Sequence, residues 1–181
     1  MTAEVTIPRR EELFSALEEK EAIIIFAAEE EKLEKFKQDN DFLYVTGLQI
    51  PEAIYFGYKG QNGPVEMLFI ERSDPEKAIW TGPVMSSEEA SKKTGLSQDK
   101  IHYLDEFLAI LSVYCPVINK IWSNIGIQAL NKPPTRQLFH LFPIRERYPN
   151  IIIESLETLI TPLRKVKSEW ELRQLQRAID I

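Results

Sequence analysis

The run Ala22-Ile23-Ile24-Ile25-Phe26-Ala27-Ala28 constrains this chain more than any other segment. It is continuously apolar and rich in β-branched residues. It shows no polar alternation, so it reads as a central strand covered on both faces. Such a strand needs packed layers above and below it, which points to a sheet between helices. The chain has room for that arrangement. Its 181 residues are 44% hydrophobic and 28% charged, and a chain of this size buries roughly 70% of its unfolded surface.

The flanking segments fill in an α/β domain with a mixed β-sheet flanked by helices. Pro8 suits the first turn of a helix whose Leu13, Phe14 and Leu17 share a face. Residues 29–37 are charged and read as a solvated loop or short helix. Residues 42–46, 53–58, 65–71 and 78–81 read as four strands. Pro51, the Gly60-Gln61-Asn62-Gly63-Pro64 segment and Ser73-Asp74-Pro75 punctuate them, and such short connections imply antiparallel neighbours. The pattern then alternates. Ser86 and Glu89 form a capping-box signature for a helix ending near Gly95, and 101–104 is a short strand. Residues 106–114 are helical with Phe107, Leu108 and Leu111 inward, and 117–122 is a strand. Residues 135–148 form a helix with Leu138, Leu141 and Phe142 on one face, and 151–153 is a last strand. Residues 157–166, interrupted by Pro162, read as irregular or as a linker. A second capping box, Ser168 with Glu171, opens a final helix with Leu172, Leu175 and Ile179 at helical spacing.

Charge and motif content narrow the function classes. A formal net charge of -6 argues against nucleic-acid binding, which needs a basic face to displace counterions. The start turns charged too early for a secretory signal, and no apolar run reaches the roughly 20 residues needed to span a bilayer, so a cytoplasmic protein is expected. Cys115 is the only cysteine, which excludes an intrachain disulfide. Its neighbours Tyr114 and Pro116 make it a buried thiol near a strand start. His102 and His140 lie in different elements, each more readily a structural residue than a ligand. The Asp39-Asn40-Asp41 triplet opens like a calcium loop, but Tyr44 occupies the position that needs glycine. Asp39 and Asp41 are expected instead to cap or turn the chain into the following strand. Gly57, Gly60 and Gly63 lack the Gly-Lys-Ser/Thr of a phosphate loop and mark a hairpin. No local constellation reads as an active site.

The order of segments does carry a family resemblance. Arg9-Arg10-Glu11 opens a helix, 23–28 follows, and then Lys37-Gln38-Asp39-Asn40-Asp41-Phe42-Leu43-Tyr44-Val45-Thr46-Gly47 leads to Pro51-Glu52-Ala53. This resembles the N-terminal domain of the aminopeptidase P, prolidase and creatinase family, with aminopeptidase P the nearest branch. Glu76-Lys77-Ala78-Ile79-Trp80-Thr81-Gly82 looks like the branch's Ala-Xaa-Ile-Trp-Xaa-Gly stretch. Arg164-Lys165-Val166-Lys167-Ser168-Glu169-Trp170-Glu171-Leu172 is similar to the junction that leads into the catalytic domain.

The resemblance implies a creatinase-type N-terminal domain with ribonuclease H-like layering over residues 1–165. It makes residues 166–181 a linker and the first helix of a pita-bread catalytic domain. That domain would hold two divalent metals, usually manganese, on two Asp, one His and two Glu beyond residue 181. No residue here is then a metal ligand, and the 181-residue chain alone is expected to be inactive. A metal-activated water in the catalytic domain would attack the peptide bond before a proline. The N-terminal domain would shape the entrance for proline-containing peptides and help build a homodimer or tetramer. Trp80 is the one site residue the resemblance carries over: it would reach the active-site mouth of a neighbouring subunit. Two departures stand out. The 28–37 loop is shorter and more charged than in common bacterial members, and Glu157 stands where the branch often has an arginine. An inactive relative serving as a peptide- or protein-interaction module, and the N-terminal domain of a creatinase or prolidase, are the alternative readings.

Overall fold

A computed structural model describes residues 2–30, 35–73 and 84–179. In chain order its elements are α1 (Ala3–Ser15), β1 (Glu21–Phe26), α2 (Asn40–Thr46), β2 (Ile54–Gly60), β3 (Gly63–Ile70), α3 (Ser87–Thr94), β4 (Ile101–Tyr103), α4 (Phe107–Tyr114), β5 (Lys120–Ser123), α5 (Arg136–Arg147), β6 (Ile152–Ser155), α6 (Glu157–Lys165) and α7 (Glu169–Ile179). The strands form one mixed sheet in the order β4-β3-β2-β1-β5-β6. Pairing is antiparallel for β1–β2 and β2–β3, and parallel for β3–β4, β1–β5 and β5–β6. Of these strands, β2 alone runs against the rest, so the carboxyl ends of β1, β5 and β6 meet at one edge.

β1 sits in the middle, and all six of its residues are buried. Ile23 and Ile25 face a core built with Leu13, Phe14, Phe42, Val45, Tyr55 and Ile160, under α1, α2 and α6. Ala22, Ile24 and Phe26 face a second core with Phe56, Phe69, Phe107, Leu111, Ile121, Leu141 and Ile144, under α4 and α5. Two helical layers thus cover one sheet, as the β1 run required. β2 and β3 close through the expected glycine hairpin, with Gly60 opposite Gly63. Both capping boxes form: Glu89 N–H donates to Ser86 Oγ at 3.2 Å, and Glu171 N–H donates to Ser168 Oγ at 3.3 Å.

Several local expectations are corrected. Residues 42–46 are helix, not strand. Asp39 Oδ1 accepts from Asp41 N–H at 3.0 Å and Phe42 N–H at 2.9 Å, and Gly47 closes the helix at φ 73°. A capped start and a left-handed stop override the β propensity of Phe42, Tyr44, Val45 and Thr46. Residues 157–165 are also helix, with Pro162 inside it and Ile160 buried. Pro8 lies in the interior of α1, which begins at Ala3, and not in its first turn. Leu108 points outward at 58% exposure, while Phe107 and Leu111 are buried as expected. The strand expected at 78–81 lies outside the described residues.

Candidate functional site

Polar groups converge where the carboxyl ends of β1, β5 and β6 meet. Asn124, the residue after β5, clasps the end of β1. Its Oδ1 accepts from Phe26 N–H at 2.9 Å, and its Nδ2 donates to Phe26 O at 2.8 Å. This side chain extends the β1–β5 ladder by one rung. The opening is a cleft of about 220 Å³ lined by Asp39, Asp41, Asn124, Ser155, Glu157 and Arg164, among others. Arg164 Nη1 donates to Asp41 Oδ1 at 2.8 Å across it, tying α6 to the cap of α2. Burial, with the charges of Asp39 and Glu157, raises the Asp41 carboxyl above its ordinary value, against the pull of Arg164. The cleft therefore presents both signs of charge. In α/β sheets, ligand-facing groups gather at this carboxyl edge.

The base of the loop leaving this edge is pinned by Gln38, which is buried. Its Oε1 accepts from Ala28 N–H and Asp39 N–H at 2.8 Å each, and its Nε2 donates to Ile50 O at 2.7 Å and Leu48 O at 3.3 Å. One amide thus joins the chain on both sides of α2 to the end of β1.

A second polar centre lies under α1. Arg10 Nη1 donates to Thr6 Oγ1 and Val45 O at 3.2 Å each, and Nη2 donates to Thr94 O at 2.9 Å. Its Nε stands 2.6 Å from Glu66 Oε1, an ion pair without hydrogen-bond alignment, and Glu66 also accepts from Tyr55 Oη at 2.7 Å. Arg9 turns the other way. Its Nη1 donates to Tyr44 O at 3.1 Å, its guanidinium lies 4.1 Å from the Tyr44 ring centroid, and Nη2 pairs with Glu171 Oε1 at 3.0 Å.

The residues singled out by sequence are placed as follows. Trp80 lies outside the described residues. Glu157 stands on the rim of the cleft, with Asp39 and Asp41 opposite. His102 stacks on Phe69 with ring centroids 5.5 Å apart, and His140 stacks on Phe26 at 5.6 Å, so both serve packing. Cys115 is buried, and burial raises its thiol pKa. Among the described residues, no group of three or more His, Cys, Asp or Glu side chains is placed to hold a metal ion. None of the described helices is long and apolar enough to cross a membrane. Sequence reading missed the buried arginines. The available signal was their spacing: Arg9 and Arg10 lie one turn before the buried Leu13 and Phe14 and share their face.

Comparison with known proteins places this architecture. Residues 6–121 match the family described as aminopeptidase P, N-terminal domain. The chain is 34% identical to Xaa-Pro aminopeptidase 3 of Mus musculus over 152 residues, which is 79% of this chain and 28% of that protein. It is 23% identical to a Xaa-Pro aminopeptidase of Haemophilus influenzae over 94% of this chain and 38% of that protein. A Bacillus anthracis structure described as a candidate aminopeptidase P superposes with TM-score 0.87 at 29% identity, over 96% of this chain and 42% of the other. The low-pH form of E. coli aminopeptidase P superposes with TM-score 0.83 at 22% identity, over 98% and 42%, a likeness of fold. The chain thus spans about a quarter to two-fifths of the length of these relatives. With the family match covering both faces of the sheet and the cleft's α2 wall, the chain belongs to the aminopeptidase P N-terminal domain family.

Proposed function

We propose that this domain is the non-catalytic partner of a metal-dependent catalytic domain in a Xaa-Pro aminopeptidase, with the cleft at the carboxyl edge of β1, β5 and β6 forming one wall of the substrate entrance. The agreement with aminopeptidase P N-terminal domains, in sequence over 6–121 and in backbone over nearly the whole chain, carries this reading. The chemistry assigned to the catalytic domain is hydrolysis of the bond preceding proline, by water activated between two divalent cations such as manganese. This domain's share is orientation and desolvation. Asp41 and Arg164 offer opposite charges to the ends of a short peptide, and the rigid Asn124 clasp keeps that wall in place.

The same reading includes a homo-oligomer in which Trp80 reaches a neighbouring subunit's entrance, and a cytoplasmic setting. The lone buried Cys115 fits a reducing compartment.

The test is to purify the 181-residue chain, supply Mn²⁺ and a Xaa-Pro peptide, and follow both metal binding and cleavage. Neither stoichiometric Mn²⁺ binding nor turnover is expected. Chelator-sensitive cleavage by the chain would overturn the reading. In the protein joined to its catalytic domain, Asp41→Asn is expected to raise KM with kcat little changed. An unchanged KM would remove the cleft from the entrance and favour an interaction module.

A further inference from the structure

Helix α7 is joined to the rest of the molecule in an unusual way. None of its residues is buried, and Leu172, Leu175 and Ile179 are 53%, 51% and 76% exposed. A groove of about 580 Å³ runs between α1 and the α6–α7 junction, with Pro8, Tyr44, Val166 and Trp170 among its walls. Packing of the Leu172/Leu175/Ile179 stripe therefore does not set the direction of α7. The Glu171 carboxylate spans the groove. Glu171 Oε2 accepts from Ser168 N–H at 2.9 Å and Ser168 Oγ at 2.8 Å, completing the cap of α7. Glu171 Oε1 reaches the buried Arg9, which Tyr44 holds by its carbonyl and its ring.

We propose that the Arg9–Glu171 pair is a latch that fixes the direction in which α7 leaves the sheet domain, and with it the placement of the Leu172/Leu175/Ile179 stripe. The physical reason lies in the two oxygens. A glutamate that only caps α7 would leave the helix free to swing about 166–167. A glutamate that only met Arg9 would tether a frayed helix. Sharing one carboxylate between the two makes the start of α7 a rigid extension of α1. Arg9 is suited to the anchoring end, because its guanidinium is already oriented by Tyr44 before Glu171 arrives. The latch stands on contacts within this chain and holds whether or not the peptidase reading does.

The experiment measures a distance distribution between spin labels at two exposed positions, Lys93→Cys on α3 and Arg177→Cys on α7, with the buried Cys115 left in place. The parent is expected to give one narrow distribution. Arg9→Met, which leaves the cap intact, is expected to broaden it at least about twofold, while exchange of the Ile23, Ile24 and Ile25 amides stays within about twofold of the parent. Ser168→Ala is expected to speed exchange in α7 without moving the mean distance, and Arg9→Lys to restore part of the narrow distribution. Glu171→Gln gives a second, shape-conserving break of the latch. An unchanged distribution in both Arg9→Met and Glu171→Gln overturns the proposal. So does acceleration of the β1 amides as large as that in α7, or failure of both variants to fold, since the pair would then be a general structural support.

Discussion

Arg9 and Arg10 are neighbours on α1 and nearly equally buried, at 5% and 4% exposure, yet they bind different parts of the molecule. Arg10 donates inward to three elements: Thr6 on its own helix, the Val45 carbonyl of α2 and the Thr94 carbonyl at the end of α3. It also faces Glu66 on β3. Arg9 donates through Nη1 to the Tyr44 carbonyl of α2 and sends Nη2 out to Glu171 on α7. The helical rise of one residue turns a guanidinium by about 100°. That rotation separates a centre that closes the domain from an arm that reaches beyond it. Similar burial therefore does not imply similar consequence; what matters is which elements lose a partner together.

The largest expected effect breaks the inner centre. Arg10→Met removes the donors to Val45 O and Thr94 O and strips Glu66 of its cation, leaving buried acceptors and a charge unpaired. The cost is expected at about 3–5 kcal/mol of folding stability, read from urea unfolding followed at β1 and α7 together. Arg9→Met is expected to cost about 1–2 kcal/mol, since the Tyr44 carbonyl and the partly solvated Glu171 carboxylate lose a donor. Equal losses for the two variants would show that both arginines serve the core alike and would erase the distinction.

The sequence showed the inner region better than the outer one. β1 was readable because seven apolar residues in a row have few other places to go, and both capping boxes were readable because their spacing is set by backbone geometry. α2 was misread because Phe42, Tyr44, Val45 and Thr46 favour strands one residue at a time. The deciding features were the bracket of Asp39 before and Gly47 after, with the seven helical residues between them. α6 was misread because Pro162 weighs as a breaker. In the fold, Ile160 is buried in the core and Leu163 packs against it, and that burial offsets the backbone bond that proline cannot make. The cleft was half visible. Asp39 and Asp41 stood out as a pair, but Arg164 lies 123 residues from Asp41, and Asn124 is 98 from Phe26. No local pattern brings such partners together; the parallel crossovers do.

Acid sharpens the contrast between the arm and the cleft. Desolvation alone would raise the Glu171 carboxyl, but hydrogen bonds from Ser168 and the charges of Arg9 and Lys167 outweigh it and lower its pKa below the ordinary value. A lowered folded-state value means that the latch contributes stability above the unfolded pKa and loses it as pH falls through the folded one. Asp41 has the opposite sign. Its raised value marks an ionised form that is disfavoured in the fold above that pKa, and the penalty is relieved as pH falls through it. Carbon-13 carboxyl titration is expected to place Glu171 below and Asp41 above the ordinary value of its side chain, and Arg9→Met is expected to move the Glu171 midpoint upward while leaving Asp41 unchanged. A Glu171 midpoint indifferent to Arg9 would mean that the capping box alone holds the carboxylate.

The smallest expected effect tests whether the inner region carries strain of its own. Lys20 enters β1 at φ 67°, in the left-handed region where a side chain crowds its own backbone. Two bonds hold it there: Lys20 N–H donates to Lys59 O at 2.8 Å, and Asn119 N–H donates to Lys20 O at 2.9 Å. These tie the turn to β2 on one side and to the approach to β5 on the other. The side chain is exposed, so its loss removes no packing. Lys20→Gly relieves the backbone strain while increasing the freedom of the unfolded chain, and the two terms nearly cancel, with a net gain expected at about 0.5 kcal/mol. For a chain of this length that is a rise of about 1–2 °C in Tm by calorimetry, with the α7 distance distribution unchanged. A fall in Tm would mean that the unfolded-state term wins and that the turn before β1 is held without significant strain.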